Sequence, residues 1–281
     1  MNHLTEDILT NVITIRPDNS HKGTFGRAIL FGGNKQYGGA IMMSAEACIN
    51  SGAGLTTVIT AEKNHAPLHA RLPEAMVADF SDTELVADLV KSANVILIGP
   101  GLGLSVTVLS ILKQLLKAQQ ENQWFIIDGS AITLFASHQL TLKYPEKVVF
   151  TPHQMEWQRL SGLEIADQTP ENNLEKQKEL GATIVLKSHR TEIYDGEQIW
   201  HNTVGDAAMA TGGMGDTLAG MVAGFIAQFG GSSETIGAAV YLHSKIGDDL
   251  AAEHYVVLPT SISHEISRYM KKYATNERKE S

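Results

Sequence analysis

Short apolar runs alternate along most of the chain with longer segments in which apolar residues recur at helical spacing. The runs predict buried strands because apolar, often β-branched residues fill successive positions. They occupy 27–31, 55–60, 94–99, 124–128, 147–150 and 182–187. Strands that are apolar on both faces are typical of a sheet covered by helices on two sides.

Helical patterns fill most of the intervals, at 39–51, 82–91, 105–121, 153–161 and 171–180. Alternation of strands and helices predicts an α/β fold with a doubly wound, mostly parallel sheet and helices on both faces. No segment has the composition of a linker, so a single domain over residues 1–281 is expected.

The C-terminal third departs from this alternation. Two short alternating runs within 190–201 meet at Asp195-Gly196, which predicts a β-hairpin at the edge of the sheet. Helices are predicted after it, at 217–229 and 234–253.

Composition narrows the classes of partner. Hydrophobic residues make up 43% of the 281 residues and the net charge is −9, without a basic cluster. Binding to nucleic acid or to a membrane is therefore not expected. The N-terminus has no basic region followed by an apolar core, so no signal peptide is predicted and a cytoplasmic location is expected. The single cysteine, Cys48, is expected to be a small buried hydrophobe.

The sequence ATGGMGDTLAG, residues 210–220, places one carboxylate between a glycine-rich turn and an apolar helix. Glycines bring the backbone close to a ligand, and a helix N-terminus attracts anions. Asp216 is then either a helix N-cap, for which Asp is well suited, or a functional acid beside an anion site. Capping alone does not explain the preceding glycines. Gly220 and Gly224 predict close packing of this helix against a neighbour.

Three further candidates follow predicted strands, where ligands bind in such sheets. Gly101 and Gly103 form a second close-approach turn, although turns of this kind are common between strand and helix. His153 and Glu156 open a predicted helix, and each has an alternative as a capping or first-turn residue.

The third candidate is a run of cationic and hydroxyl side chains at a strand end. It comprises Lys187, Ser188, His189, Arg190 and Thr191. Such groups can receive phosphates, and a solvated turn is the alternative.

Common nucleotide and metal motifs are missing. The segment 21–54 has the strand, glycine loop and helix of a dinucleotide site but neither its glycine spacing nor its acidic residue. No Walker A motif occurs, and the histidines lack metal-ligand spacing, so no protein-held metal site is predicted.

Taken together, these stretches resemble a known family. The glycine–Asp turn resembles the anion hole and catalytic base of ribokinase-like enzymes. The stretches HKGTFGRAILFGG…YGGAIMMSAEACINSGAGL, IGPGLG, TPHQMEWQRL and YLHSKIGDDLAAE resemble the ADP/ATP-dependent NAD(P)H-hydrate dehydratases. The resemblance covers roughly residues 15–270 and implies a ribokinase-like fold.

The resemblance implies a metabolite-repair activity. Family members dehydrate the S epimer of hydrated NADH or NADPH and spend the terminal phosphate of ADP or ATP, escorted by Mg²⁺. A homo-oligomer, specifically a tetramer, is expected, with epimerisation left to a separate protein.

The resemblance also assigns roles to matching residues. Asp216 would be the base and also contact the hydrate, whose site Ala40, Gly101, Gly103 and His153 would line. The segment Lys187 to Thr191, with Gly213 and Gly215, would bind the nucleotide. The chain departs from the family pattern at Met155, usually glycine, at Met214, usually threonine, and in DGSAI at 128–132 where DADAL is usual.

Two other functions remain open at this point. A ribokinase-like kinase of a vitamin precursor would share the Asp216 turn but would not explain the stretches 21–54 and 151–160. A nucleotide-sensing protein without turnover would not need an acid at Asp216.

Overall fold

A computed structural model describes residues 2–196 and 198–275 of the chain. The strands are β1 (Asn2–Leu4), β2 (Arg27–Phe31), β3 (Leu55–Thr60), β4 (Met76–Asp79), β5 (Val95–Ile98), β6 (Trp124–Ile127), β7 (Val148–Phe150), β8 (Thr183–Leu186), β9 (Glu192–Asp195) and β10 (Gln198–Asn202). The helices are α1 (Asp7–Val12), α2 (Gly38–Asn50), α3 (His65–Arg71), α4 (Thr83–Ser92), α5 (Val106–Ala118), α6 (Gly129–Ser137), α7 (Gln154–Ser161), α8 (Pro170–Leu180), α9 (Met214–Phe229), α10 (Ser233–Ala251) and α11 (Pro259–Tyr273).

The described strands form one sheet in the order β4-β3-β2-β5-β6-β7-β8-β9-β10-β1. The seven strands from β4 to β8 in this order are parallel, β9 is antiparallel to its two neighbours, and β1 is parallel to β10. The predicted doubly wound sheet is confirmed, and its six predicted strands are found within one residue at each end.

The two faces of the sheet carry separate hydrophobic cores, which explains the continuous apolar strands. In β2, Ala28 and Leu30 pack with α2, α9, α10 and α11, whereas Ile29 and Phe31 pack on the opposite face. Side chains of consecutive strand residues point to opposite faces, so a strand covered on both sides needs apolar residues throughout.

The hairpin lies one strand further inside the sheet than predicted. Its strands β9 and β10 are as expected, but β1 pairs with β10 through Asn2 to Leu4 and forms the edge. Three residues with only one buried side chain give no strand signal, so β1 was not predicted. The same applies to β4, which is exposed at Met76.

Helices α2 and α9 touch backbone to backbone, as the glycine spacing predicted. A Cβ atom on Gly220 would lie 2.1 Å from the Ser44 carbonyl oxygen, and one on Gly224 would lie 2.6 Å from that of Cys48. Cys48 itself is fully buried, and burial raises the pKa of its thiol to about 12, so it is the inert hydrophobe expected.

Strand order reverses between β2 and β5, since β3 and β4 lie on one side of β2 and β6 to β8 lie beyond β5. The loops that leave these two strands meet at the carboxyl edge: Gly33 N donates to Pro100 O at 2.9 Å, and Asn34 N donates to Gly101 O at 2.7 Å. A crevice at such a point is where doubly wound sheets bind ligands. Within the described residues, no helix is both long and apolar enough to span a bilayer.

Candidate functional site

Asp216 lies inside the first turn of α9 and does not cap it. The N-cap is Gly213, whose φ of 97° is left-handed, and no side chain hydrogen-bonds to the cap position. The interpretation of Asp216 as the N-cap is therefore wrong. The glycine turn makes the bend that starts the helix, and the carboxylate is free for another role.

The surroundings of Asp216 oppose its ionisation. Burial raises the pKa of this carboxyl to about 7, repulsion from the Asp128 carboxylate and from Glu156 adds to the shift, and the ammonium of Lys187 opposes it. A carboxylate with a pKa near neutrality can both accept a proton and release it under physiological conditions.

Lys187 is held in place by a buried carboxylate. Its Nζ lies 2.8 Å from Oδ1 of Asp128, which also accepts a hydrogen bond from the Thr151 hydroxyl at 2.7 Å. Burial lowers the pKa of Lys187, but the attraction of Asp128 and Glu156 outweighs this effect and the net pKa is raised. Lys187 is therefore a fixed positive charge, and it lies beside the glycine turn, where a Cβ on Gly215 would be 3.1 Å from Nζ.

His153 caps α7, and both of its ring nitrogens face the first turn of that helix. Its Nδ1 accepts from the backbone N–H groups of Met155 at 3.1 Å and Glu156 at 3.2 Å, while the backbone N–H of His153 donates to the Glu156 carboxylate at 2.9 Å. The capping alternative is thus confirmed. Nε2 of the half-exposed ring lies 3.6 Å from the Glu156 carboxylate, and the backbone of His153 forms a parallel β-bridge with that of Lys187.

The two loops at the strand reversal, residues 32–39 and 99–103, form what we call the glycine crevice. Gly101 and Gly103 have φ of 61° and 87°, and a Cβ on Gly101 would lie 2.2 Å from the Tyr37 carbonyl oxygen and 3.0 Å from the Ala40 side chain. The glycines therefore let the two loops approach each other backbone to backbone.

Ser44 connects the glycine crevice to Asp216. Its hydroxyl lies 3.2 Å from the carbonyl oxygen of Ala40 and 2.8 Å from that of Asp216. The predicted residues of the crevice and the acid on α9 are thus joined through one buried side chain.

Beside Lys187 lies a second concave region, which we call the α9–α10 cavity, with a volume of about 480 Å³. Its lining comprises Lys187, Ser188, His189, Thr191, Gly205, Asp206, Ala207, Met209, Ala210, Met214, Gly215, Leu218, His243 and Ser244. Five of the predicted nucleotide-binding residues line it. Arg190 and Gly213 do not, and the guanidinium of Arg190 instead donates to the Gly205 carbonyl at 3.0 Å.

The sequence did not predict four residues of this region. Asp128 and Thr151 position Lys187, Ser44 joins the crevice to α9, and His243 lines the cavity. Asp128 could have been found, because it is a carboxylate directly after a predicted strand. The others depend on contacts between distant segments. No group of three or more His, Cys, Asp or Glu residues in the described part of the chain is arranged to hold a metal ion.

Comparison with known sequences gives a consistent result. The family model described as NAD(P)H-hydrate dehydratase matches residues 28–268. An ADP-dependent (S)-NAD(P)H-hydrate dehydratase of Enterococcus faecalis is 64% identical over 274 residues, which are 98% of this chain and 94% of that protein.

Solved structures agree. A ribokinase-like superfamily protein of Enterococcus faecalis superposes with a TM-score of 0.96 at 64% identity, covering 97% of this chain and 96% of that one. An ADP/ATP-dependent NAD(P)H-hydrate dehydratase of Bacillus subtilis, co-crystallised with ATP and Mg²⁺, gives a TM-score of 0.85 at 29% identity, covering 97% and 98%. The expected ribokinase-like fold is confirmed.

Proposed function

The chain belongs to the NAD(P)H-hydrate dehydratase family, and from this premise we propose how its residues carry out the reaction. It is a metabolite-repair lyase that dehydrates the S epimer of hydrated NADH and NADPH, with ADP or ATP as the phosphoryl donor. The observation that carries this function is the half-buried Asp216, whose backbone carbonyl is joined by Ser44 to the Ala40 side of the glycine crevice and whose carboxyl interacts with the Lys187 charge in the α9–α10 cavity.

The chemistry needs a phosphoryl donor because hydroxide is a poor leaving group. Asp216 takes the proton of the ring hydroxyl as its oxygen attacks the terminal phosphorus of the nucleotide. The phosphate ester then leaves as inorganic phosphate when the ring nitrogen donates its electron pair. Loss of a proton from the adjacent carbon restores the ring double bond, so ADP yields AMP, phosphate and the reduced dinucleotide.

The protein contributes position and charge to this sequence. The free N–H groups of the α9 N-terminus and the ammonium of Lys187 face the transferring phosphoryl group, and charge in a partly buried site is weakly screened. Asp128 and Thr151 fix Lys187, so no reorganisation is needed when negative charge develops.

The glycine crevice binds the hydrate in this proposal. Its backbone groups approach the substrate closely, and the half-exposed ring of His153 lies at its border. Tyr37 and Leu104, exposed at 62% and 60%, adjoin the crevice and offer apolar surface to the ring.

The residues fit a magnesium ion that arrives with the nucleotide. Mg²⁺ often binds through phosphates, waters and one or two carboxylates, and the described residues offer no larger ligand group. Glu156, a carboxylate close enough to Asp216 to raise its pKa, would hold it, which leaves Asp216 free to act as the base. When bound, the ion neutralises phosphate charge.

Two further expectations stay proposals. We propose that the protein works as a homo-oligomer, with a tetramer as the state to be tested by light scattering. We also propose that conversion of the R epimer to the S epimer is left to another protein.

The test uses absorbance at 340 nm. Purified protein mixed with hydrated NADH should restore absorbance only when ADP or ATP is added, with release of one AMP or ADP per NADH formed. Phosphorylation of a thiazole or pyrimidine alcohol without recovery of NADH would instead establish the vitamin-precursor kinase. Binding of nucleotide without either reaction would establish a sensor.

A further inference from the structure

Two consecutive polar residues of α10, His243 and Ser244, line the α9–α10 cavity. Both are buried, with exposed fractions of 4% and 8%, on a helix whose surrounding residues are largely apolar. Buried polar atoms normally have hydrogen-bond partners, so the unused atoms of this pair indicate what the cavity binds.

His243 offers a hydrogen-bond acceptor. Burial lowers the pKa of its imidazole to about 4, so the ring is neutral, and a hydrogen bond to the Met214 backbone opposes that shift. A bond that favours the protonated ring must have the backbone carbonyl as acceptor. Nε2 has no hydrogen-bond partner among the described residues. Because the other nitrogen carries the proton of the neutral ring, Nε2 holds a free lone pair.

Ser244 offers the complementary donor. Its Oγ accepts a hydrogen bond from Nδ2 of Asn202 at 2.9 Å, and the same amide donates to the Val204 carbonyl at 3.1 Å. A hydroxyl that accepts from one side still has its own proton to donate. Two adjacent residues of the cavity wall therefore carry one unmatched acceptor and one available donor.

We propose that His243 and Ser244 read the base of the bound nucleotide and select adenine. Nε2 of His243 accepts from the 6-amino group, and the Ser244 hydroxyl donates to the neighbouring ring nitrogen. Guanine and hypoxanthine carry a 6-oxo group, which would place a lone pair against that of Nε2. This inference rests on the proposed function only in taking the cavity as the nucleotide site.

The first experiment uses the unmodified protein and no hydrate. Calorimetric binding of ADP is compared with inosine diphosphate, which differs by the 6-oxo group and a ring proton, and with purine riboside diphosphate, which has no 6-substituent. An unmatched buried acceptor should weaken the binding of inosine diphosphate roughly ten- to hundredfold relative to ADP. The affinity for the unsubstituted purine nucleotide should lie between the two. Equal affinity for the three nucleotides would overturn the proposal.

The second experiment separates reading of the base from a structural role. His243→Leu removes the acceptor, and His243→Gln keeps one near the position of Nε2. The leucine variant should bind ADP and inosine diphosphate with similar affinity, while the glutamine variant should keep most of the preference for ADP. A structural role alone would weaken both nucleotides by the same factor and leave their ratio unchanged, which would refute the assignment.

Controls keep the result interpretable. Lys245→Ala, which removes only an exposed pair with Asp249 on the same helix, should leave the ratio as in the unmodified protein. If His243→Leu does not fold, Ser244→Ala and the unmodified protein still decide the question. Because binding is measured without hydrate, selection of adenine without dehydration would refute the proposed function alone, and dehydration that is equally fast with every purine would refute this inference alone.

Discussion

The glycine crevice and the α9–α10 cavity, the two proposed binding regions, are built in opposite ways. The crevice is built from backbone brought close by glycines, with few charges, whereas the cavity is built around a lysine held by a buried carboxylate and around buried polar side chains. Backbone contacts depend on shape and are disturbed by any added carbon. Charged contacts depend on pairing and are disturbed by removal of a single group. Asp216 lies where the two regions meet.

The largest effect is expected at that meeting point. Asp216→Asn keeps the shape of the side chain and removes the proton acceptor. Because general-base assistance contributes about 10²–10⁴-fold, kcat for dehydration should fall by at least about a hundredfold. Steady-state assays with saturating nucleotide measure this value, and hydrate binding should change little. Turnover within a few-fold of the original would remove Asp216 from the chemistry and leave the two regions without a shared reactive group.

Removal of the lysine charge should affect mainly the cavity. Lys187→Ala deletes a charge-assisted contact of about 1.5–3 kcal/mol, so nucleotide Kd should rise roughly ten- to hundredfold. Calorimetry with ADP measures the change. Lys176→Ala, which removes a lysine paired with Glu179 on the surface, is the matched control and should bind ADP normally. Unchanged ADP affinity in a folded Lys187→Ala variant would mean that the cavity binds its ligand without this charge.

Addition of a carbon atom to a loop glycine, in contrast to removal of a charge, should affect mainly the crevice. Gly101→Ala adds a carbon 2.2 Å from the Tyr37 carbonyl at a φ of 61°, so the loop must move and the KM for the hydrate should rise about tenfold. Nucleotide Kd should stay the same. Gly162→Ala is the control, since it also places an alanine at a left-handed φ, 78°, but lies outside the crevice, where a Cβ meets nothing within 4 Å. Equal changes in both ligands would show that the two regions do not respond separately.

The pH dependence of dehydration should test whether the carboxyl of Asp216, between the two regions, has the raised pKa. Its pKa is raised to about 7, and the base must be ionised to act. The kcat/KM for the hydrate should therefore rise about tenfold per pH unit below pH 7 and level off above it. A profile flat from pH 5 to 8 would contradict this environment.

The smallest effect concerns stability, and its sign follows from the same carboxyl. The folded-state pKa of Asp216, about 7, exceeds the 3.8 that is usual for an aspartate carboxyl. The protonated group stabilises the fold fully below pH 3.8, and this contribution is lost as the pH rises through 7. Asp216→Asn should consequently raise Tm at pH 8, with the gain disappearing towards pH 4. A lower Tm for the variant at pH 8 would show that the carboxylate is stabilised in the fold.

Sequence patterns predicted the parallel strands well, because a strand buried on both faces needs a continuous apolar run. They failed where structure depends on partners elsewhere in the chain. The edge strand β1 exists because β10 is available to pair with it, and the alternative of Asp216 as an N-cap failed because the chain already turns at Gly213.

In the candidate site, too, residues marked by local sequence could be predicted, and those that depend on distant contacts could not. Residues next to strand ends, such as Lys187 and His153, could be found from their position, although the approach of the His153 ring to Glu156 could not. Asp128 acts through a lysine 59 residues away, and nothing in its own neighbourhood specifies that pairing. His243 is hidden for another reason, since a histidine on an apolar helix looks like an ordinary core residue until its lone pair is seen to be unmatched.

The contact between α2 and α9 has a consequence for folding during synthesis on the ribosome. The hydrogen bond from Ser44 to the Asp216 carbonyl joins residues that are 172 positions apart. Helix α2, which follows the first loop of the glycine crevice, is synthesised early. Asp216 and the rest of α9 emerge only after most strands of the sheet. A nascent chain thus carries an unfinished apolar surface on α2 until α9 arrives, and exposed surface of this kind invites aggregation. Catalytic competence is therefore expected to appear in one late step of biosynthesis.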